Sequence, residues 1–520
     1  MNDTSPQFPI PGPQTGERTE RYVSTFLVTV LVVFAAFFLY HAARTILYPY
    51  TVDYGEGFLL NQGNELAHLR SPYQPLDEPP WLVANYPPVY PALLAIGINA
   101  FGIQYYFGRA LSLFGILVAG YCLYAMTRDQ TGNRLAAWVS LLVWLGSYPV
   151  YAWGPYHRVD SVGIGLEALG LLFLMKRERL TLSILFFLLA LYCRQTLWMA
   201  PLAGYFYLRR MDGPRFAARW FGKLLVLGGG IFLILTLLTG GEFFRHLVSY
   251  NANPYHIKDV WRNAHNGLFL TMLLPTLFLI YTLVRVISTG KWDLLGYCIP
   301  FSILTFFLVG KLGSAVNYLF EIALVSAWAT GVVIAEAQYH IPKGNPLRLM
   351  PALFLGVGIC FPLHVPHFYN QWSINDWAGT PISSSRVMTD ELAYRLKEIE
   401  EPVLSQDAGL SLMTGHKLVW QPFIMTQLHQ QKRWNQEPLL EMIRNKEFKA
   451  LVLPINFEVD TNLSEFGLWW TQFDEEMVET IRTHYRVAPR INPAANRGQD
   501  PRWVWGYHSP FGTNYLYFPK

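Results

Sequence analysis

Eleven stretches read as membrane spans, most of them about 20 apolar residues long and two shorter, constrain this chain more than any motif in it. They centre on 22–46, 106–126, 135–153, 159–175, 180–194, 195–209, 219–240, 265–287, 293–310, 317–338 and 348–365. With 52% hydrophobic residues and only 15% charged in 520 positions, the chain is too apolar for a soluble protein of this size. The expected class is therefore an α-helical polytopic membrane protein. The two short segments either side of Arg194 read as a tight hairpin or as tilted helices meeting at one membrane face. A further apolar piece, 88–103, opens with Pro-Pro and holds two glycines, so it is read as an interfacial helix rather than a twelfth span.

Loop charges set the orientation. With the amino terminus inside, the inner loops collect Arg128 and Arg134; Lys176, Arg177 and Arg179; Arg209, Arg210, Arg215, Arg219 and Lys223; Arg285 and Lys291; Lys343 and Arg348, as the positive-inside rule requires. Residues 1–21, polar and rich in proline, are expected to be a disordered cytoplasmic tail. The run after it exceeds a usual signal-peptide core, which favours a retained first span. The membrane domain is placed at 22–367, with a first outer loop over 48–105. From 368 charged and turn residues become frequent, and 368–520 is read as a small extracytoplasmic α/β domain. Its Trp434, Trp469, Trp470, Trp503 and Trp505 are candidates for stacking on sugar rings, weighed against burial in a core. Cys122, Cys193, Cys298 and Cys360 lack paired spacing and read as core-filling residues, not as a disulfide framework or zinc site.

Chemistry concentrates in the turns expected on the outer face. Asp53 and Glu56, in Val52-Asp53-Tyr54-Gly55-Glu56-Gly57, share a face if helical, and the glycines allow close backbone approach. One carboxylate can serve as general base while its neighbour positions an acceptor or holds a metal; a solvated acidic loop is the plain alternative. Tyr86 follows in Asn85-Tyr86-Pro87-Pro88. The turn Tyr156-His157-Arg158-Val159-Asp160 puts His157, Arg158 and Asp160 at the head of an apolar helix, where ionisable groups are costly unless paired with each other or with a ligand. Glu167 lies two turns deeper, as a functional group or as an interhelical hydrogen-bond partner. Arg194 is the only charge in a long apolar stretch, and with Lys311 and Arg262 it forms a cation set suited to phosphate, which a guanidinium grips with two N–H groups. Asn317, Tyr318 and Glu321 add donors and acceptors at the same face. Nucleotide-binding, zinc-protease and serine-hydrolase signatures are absent, and nothing points to nucleic acid.

An acidic motif after the first span, then Tyr-Pro-Pro, then Gly108-Arg109 opening the next span and an Arg-x-Asp turn, resembles the GT-C superfamily of polytopic glycosyltransferases. Protein O-mannosyltransferases, aminoarabinose transferases of lipid A and uncharacterised bacterial relatives belong to it. The resemblance covers roughly residues 20–340. It implies an inverting transferase that uses a polyprenyl-phosphate sugar outside the cytoplasm of a plasma or inner membrane, on a glycan, lipid or protein acceptor. It also implies a catalytic carboxylate at Asp53, an acidic partner at Asp160 and a donor-phosphate cation at Arg194. Here Tyr54 and Gly55 separate Asp53 from Glu56, where the family commonly has the two acids adjacent. No cofactor is required by this reading, although a divalent cation is compatible with it. A transporter or lipid flippase, and a ligase or polymerase of lipid-linked oligosaccharides, are the competing classes.

Overall fold

The computed structural model describes residues 13–342, 345–360, 380–458, 472–488, 507–509 and 512–520. The first part is a helical bundle: α1 (Pro13–Leu47), α2 (Tyr54–Ala67), α3 (Val89–Phe101), α4 (Tyr106–Thr131), α5 (Arg134–Leu145), α6 (Tyr148–Trp153), α7 (Val159–Lys176), α8 (Leu180–Cys193), α9 (Met199–Asp212) and α10 (Pro214–Leu238). It continues through α11 (Glu242–Phe244), α12 (Ile257–Asn263), α13 (Leu273–Thr289), α14 (Leu294–Phe306), α15 (Phe320–His340) and α16 (Met350–Cys360).

Helices apolar on every side are stable only when buried or bathed in lipid, and both cases occur here. α15 is enclosed along most of its length, with Ala323, Ala327 and Ala329 letting neighbours approach closely, so it forms the bundle axis. α10 buries only Ala217, Trp220 and Leu224 and turns Val226, Leu233, Leu237 and Leu238 outward, the pattern of a lipid-facing helix. Every segment expected to span carries a helix. By length and composition, four among the described residues reach crossing length, and a fifth does so if the pair 257–270 and 273–289, bent by 100°, counts as one. α3, with 13 residues, spans about 20 Å, too little to cross. It packs on α2 instead.

One boundary differs from expectation. α1 begins at Pro13, so the stretch from there to residue 21, expected to be disordered, is helical; residues 1–12 lie outside the described residues. The boundary expected at 367/368 also lies outside them, as do Trp469, Trp470, Trp503 and Trp505. Trp434 is partly buried in an apolar cluster, 5.6 Å from Trp81, which is the core reading of that residue. Cys122, Cys193 and Cys298 are buried free thiols.

The carboxy-terminal part is a five-stranded sheet flanked by helices. Its strands are β1 (Val403–Ser405), β2 (Ala450–Leu453), β3 (Tyr485–Val487), β4 (Tyr507–Ser509) and β5 (Gly512–Pro519), in the order β1-β2-β5-β3, with β4 paired to β5. β1 and β2 run parallel, Leu404 opposite Leu451, and β5 is antiparallel to both β2 and β3. β1 and β2 are buried on both faces, as continuous apolar runs require. This unit sits on the end of the bundle that carries α2. Asp407 accepts the Thr51 hydroxyl at 2.6 Å, Gln421 accepts Val83 N–H at 2.9 Å, and Trp81 and Trp420 form a short parallel bridge. Gly57 and Gly409 let the backbones touch: a Cβ on Gly57 would lie 2.3 Å from Gly409 N.

One buried ion pair fixes α2 at that end. Arg109, in the first turn of α4, has no exposure, and all five of its N–H protons find acceptors. Nε and Nη2 hold the two Glu56 oxygens at 2.9 and 2.7 Å, while Nη1 and Nη2 reach the carbonyls of Thr45, Tyr48 and Tyr50. Glu56 also accepts N–H bonds from Val52, Asp53 and His157. Burial alone would raise the Glu56 carboxyl; the Arg109 charge and these bonds outweigh it and hold it down at about 2. Breaking one member leaves the other buried and uncompensated, so Arg109→Met is expected to cost about 3–5 kcal/mol. Thermal unfolding in detergent should show a large drop for that variant, and a smaller one for the doubly neutral Glu56→Gln/Arg109→Gln.

Candidate functional site

α2 starts because Asp53 stands in extended conformation before it and its Oδ2 accepts Gly55 N–H at 3.0 Å, with Glu56 reaching back to Asp53 N–H in a capping box. That places the Asp53 carboxylate at the rim of the loop. Arg158, last residue before α7, contacts the same oxygen at 3.3 Å and reaches the Tyr86 hydroxyl at 3.4 Å. Gly55 is what admits that guanidinium, since a Cβ there would fall 1.2 Å from Arg158 Nη1. Burial pushes the Asp53 carboxyl up, and the Arg158 charge pulls part of that back.

Beside this pair lies a cavity of about 170 Å³, lined among others by Gly55, Tyr86, Arg158, Arg194, Lys311 and Asn317. It gathers the first loop, the turns before α7 and α9 and the 311–318 segment, all at one end of the bundle. Arg194 is 3% exposed and held on three sides: Asp160 at 2.6 Å, the Asn317 carbonyl at 3.2 Å and the Tyr318 ring, whose centroid is 4.4 Å from the guanidinium carbon. Lys311 donates to Asn251 Oδ1 at 2.6 Å. Burial, with Arg194 nearby, lowers its ammonium to about 8. No Asp or Glu lines this cavity among the described residues. Four of its lining residues hold a polar atom buried without a partner: Arg158 Nε, Gln62 Oε1, Gln195 Oε1 and Asn317 Oδ1. Arg158 Nε is a donor that an anion can accept from, whereas the amide oxygens are acceptors and need a hydroxyl or N–H donor.

Several residues read from sequence as site groups have other duties. Glu56 is consumed by Arg109 and three backbone N–H groups, away from the cavity, so it organises the loop and takes no catalytic part. Asp160 is likewise spent, on Arg194, on Asn317 Nδ2 at 3.0 Å and on Trp153 Nε1 at 2.9 Å. It orients Arg194 and is not free to act as acid or base. His157 is buried between Tyr90 and Tyr105, its ring off the cavity wall, and burial pushes it down to about 4, so it stays neutral. Arg262 is 65% exposed, pairs with Asp259 at 2.9 Å and lies away from the cavity, which removes it from the phosphate set. Glu321 accepts Met199 N–H at 3.2 Å while Glu167 accepts Ala200 N–H at 3.0 Å, so both satisfy the start of α9; Glu321 also borders a small side pocket under Arg194. Asn85, Gln195 and Asn251 are cavity residues that the sequence reading passed over. Asn85 and Gln195 adjoin motif residues, and their amides carried no charge signal. Among the described residues no group of three or more His, Cys, Asp or Glu is arranged to hold a metal ion, and Asp53 is engaged by Arg158 instead.

No protein-family model matches this chain, and no curated protein sequence matches it significantly. Its fold, however, is shared with solved membrane glycosyltransferases. ArnT, the aminoarabinose transferase of Cupriavidus metallidurans, solved with undecaprenyl phosphate, superposes with a TM-score of 0.56 at 13% identity, over 94% of this chain and 97% of that one. Its apo form superposes at 0.53. An oligosaccharyltransferase from Archaeoglobus fulgidus superposes at 0.50 and 12% identity, over 89% of this chain and 73% of that one. The chain thus shares the overall fold of these two transferases, and its long apolar helices are those of a multi-pass membrane protein.

Lys311 gives the site a pH signature. Below about pH 8 it is a cation, and a bound phosphate keeps it so; above that, binding must first restore the proton. The affinity for a short-chain alkyl phosphate should therefore be full below pH 7 and fall up to about tenfold per unit above pH 8. Titration of wild type and Lys311→Gln between pH 6.5 and 9.5 reads this directly: the variant should bind more weakly at pH 7 and lose the high-pH decline.

Proposed function

We propose that this protein transfers a sugar from a polyprenyl-phosphate donor to an acceptor on the extracytoplasmic side of the membrane, with inversion at the sugar carbon. The observation that carries this reading is the cavity in which Arg158, Arg194 and Lys311 meet without an opposing carboxylate on the wall. The undecaprenyl phosphate bound by ArnT, which shares the fold, supports a lipid phosphate as the ligand. The charge bias of the loops supports an extracytoplasmic location for this end of the bundle and for the carboxy-terminal unit.

In this reading the acceptor hydroxyl attacks sugar C1, its proton passes to Asp53, and the bond from C1 to the lipid-phosphate oxygen breaks. Arg194 and Lys311 receive the departing phosphate and stabilise the charge that grows on it. Arg158 keeps the Asp53 carboxylate aimed, and the raised basicity that burial confers on that carboxyl suits a general base at neutral pH. The transporter class is less well supported, because the charged groups gather at one end of the bundle rather than along a path through it.

Asp53→Asn tests the role of the carboxylate. Asparagine caps a helix as well as aspartate does, so α2 should still form and the thermal midpoint should stay near wild type. Transfer from a polyprenyl-phosphate sugar in reconstituted membranes should fall by about 10²-fold or more, the usual worth of a general base. Near-wild-type turnover would remove Asp53 from the chemistry.

A further inference from the structure

A cluster of cations lies at the end of the bundle away from the phosphate cavity, where α9 turns into α10. α9 starts a few residues after the cavity residue Arg194 and runs to Asp212, and α10 returns from Pro214, so the turn between them is at the far end. Arg209 and Arg210 close α9, and Arg215, Arg219 and Lys223 follow in the first three turns of α10. All are exposed, and none has an ion pair among the described residues. Other arginines at this end are matched by acids: Arg177 by Asp212, Arg285 by Glu336 and Arg348 by Glu20. Arg210 and Arg219 donate only to backbone carbonyls, those of Gly290 at 3.0 Å and Arg215 at 3.3 Å. We propose that this surface binds an anionic phospholipid, its headgroup phosphate held by the cations and its acyl chains laid along α10. The inference is independent of the transferase reading.

The helix geometry carries the choice of ligand. Arg215, Arg219 and Lys223 are spaced by four, so they form one stripe, each about 6 Å further along the axis than the last. At 3.6 residues per turn the same stripe, an arc of about 80°, continues through Val226, Leu233 and Leu237. These three side chains are 74%, 57% and 70% exposed, on a helix that buries only three residues. No Asp or Glu occurs between Asp212 and Glu242 to interrupt the stripe or neutralise it. Gly222, Gly229 and Gly230 have open space where a Cβ would stand, which leaves the helix surface beside the stripe recessed for a chain to lie against.

Cations followed along one face by apolar side chains match a molecule with a negative head and a hydrocarbon tail. Free phosphate would leave the apolar half of the stripe uncovered. A zwitterionic lipid brings a cation of its own, which offsets the attraction. A second copy packed through α10 about a two-fold axis would set these cations against their own counterparts. The loop bias that orients a membrane chain places basic residues at this end. It does not require them to share a face with lipid-exposed side chains, or to lack the acids that match Arg177, Arg285 and Arg348.

Native mass spectrometry of the full chain, purified in neutral detergent and freed of bound lipid, tests this with phosphatidylglycerol and phosphatidylcholine of identical acyl chains. Each Lys or Arg near an anionic headgroup contributes roughly a fivefold factor, so wild type should prefer phosphatidylglycerol by about tenfold or more. Arg215→Gln/Arg219→Gln/Lys223→Gln should bring the two lipids to within about twofold of each other, while Arg215→Lys/Arg219→Lys should keep the preference. Glycerol phosphate, the headgroup without chains, should not displace the bound lipid. Equal binding of the two lipids by wild type, a preference that survives in the triple variant, displacement by glycerol phosphate, or a dimer that forms without lipid and excludes it would each overturn the proposal. Should the triple variant fail to insert, Arg219→Gln alone decides: about a fivefold loss is expected for phosphatidylglycerol and none for phosphatidylcholine, and an unchanged affinity for phosphatidylglycerol overturns the site.

Discussion

The buried pair of Arg109 and Glu56 is the interaction on which the rest depends. Two charges removed from water near a membrane are costly, and only full hydrogen-bond satisfaction makes such a pair tolerable. Here the guanidinium collects three carbonyls from the end of α1 and the loop after it, and the carboxylate collects three N–H groups from the loop and from the turn before α7. Three separate segments are thereby tied to the first turn of α4. With the loop tied there, Asp53 can cap α2 at a defined place and Arg158 can meet it.

From that fixed point the electrostatics of the site follow. Arg158 and Arg194 each face one carboxylate from behind, Asp53 and Asp160, while Lys311 donates to the neutral Asn251 and has no ion pair among the described residues. The wall therefore presents two guanidinium groups already oriented and one ammonium whose charge is not neutralised locally. A phosphate entering this cavity finds positive charge without paying to reorganise it, which is the physical advantage of preorganised cations over mobile surface lysines. α2 meanwhile is clamped from its other side by the Gly57–Gly409 contact and the Asp407–Thr51 bond, so the carboxy-terminal unit helps to hold that wall of the cavity.

Much of the helical order was legible in the apolar segments, and the clustering of the acidic loop, the Arg-x-Asp turn and Arg194 at one face followed from alternating the spans. Individual roles were less legible. The spacing of Asp53 and Glu56 was read as a pair of carboxylates for chemistry, yet an acid followed three residues later by Glu at a helix start is also a capping box, and that is what formed. Arg109 offered a signal of its own, a lone charge in the first turn of an apolar helix, and such a charge must find a buried partner. Arg262 misled because a cation at a loop looks the same in sequence whether it points into a cavity or out to solvent.

By itself the sequence determined that this chain must be a bundle of apolar helices with its carboxylates and isolated cations at the helix ends, because helix length and the cost of burying charge in an apolar medium are local properties of each segment. Which carboxylate meets which cation was decided only by the tertiary structure. Ion-pair partners here are tens to more than a hundred residues apart, Glu56 with Arg109 and Asp53 with Arg158, and pairing depends on which ends of the bundle converge. The same holds for the phosphate cavity: a void is the space between elements, and no single segment encodes it.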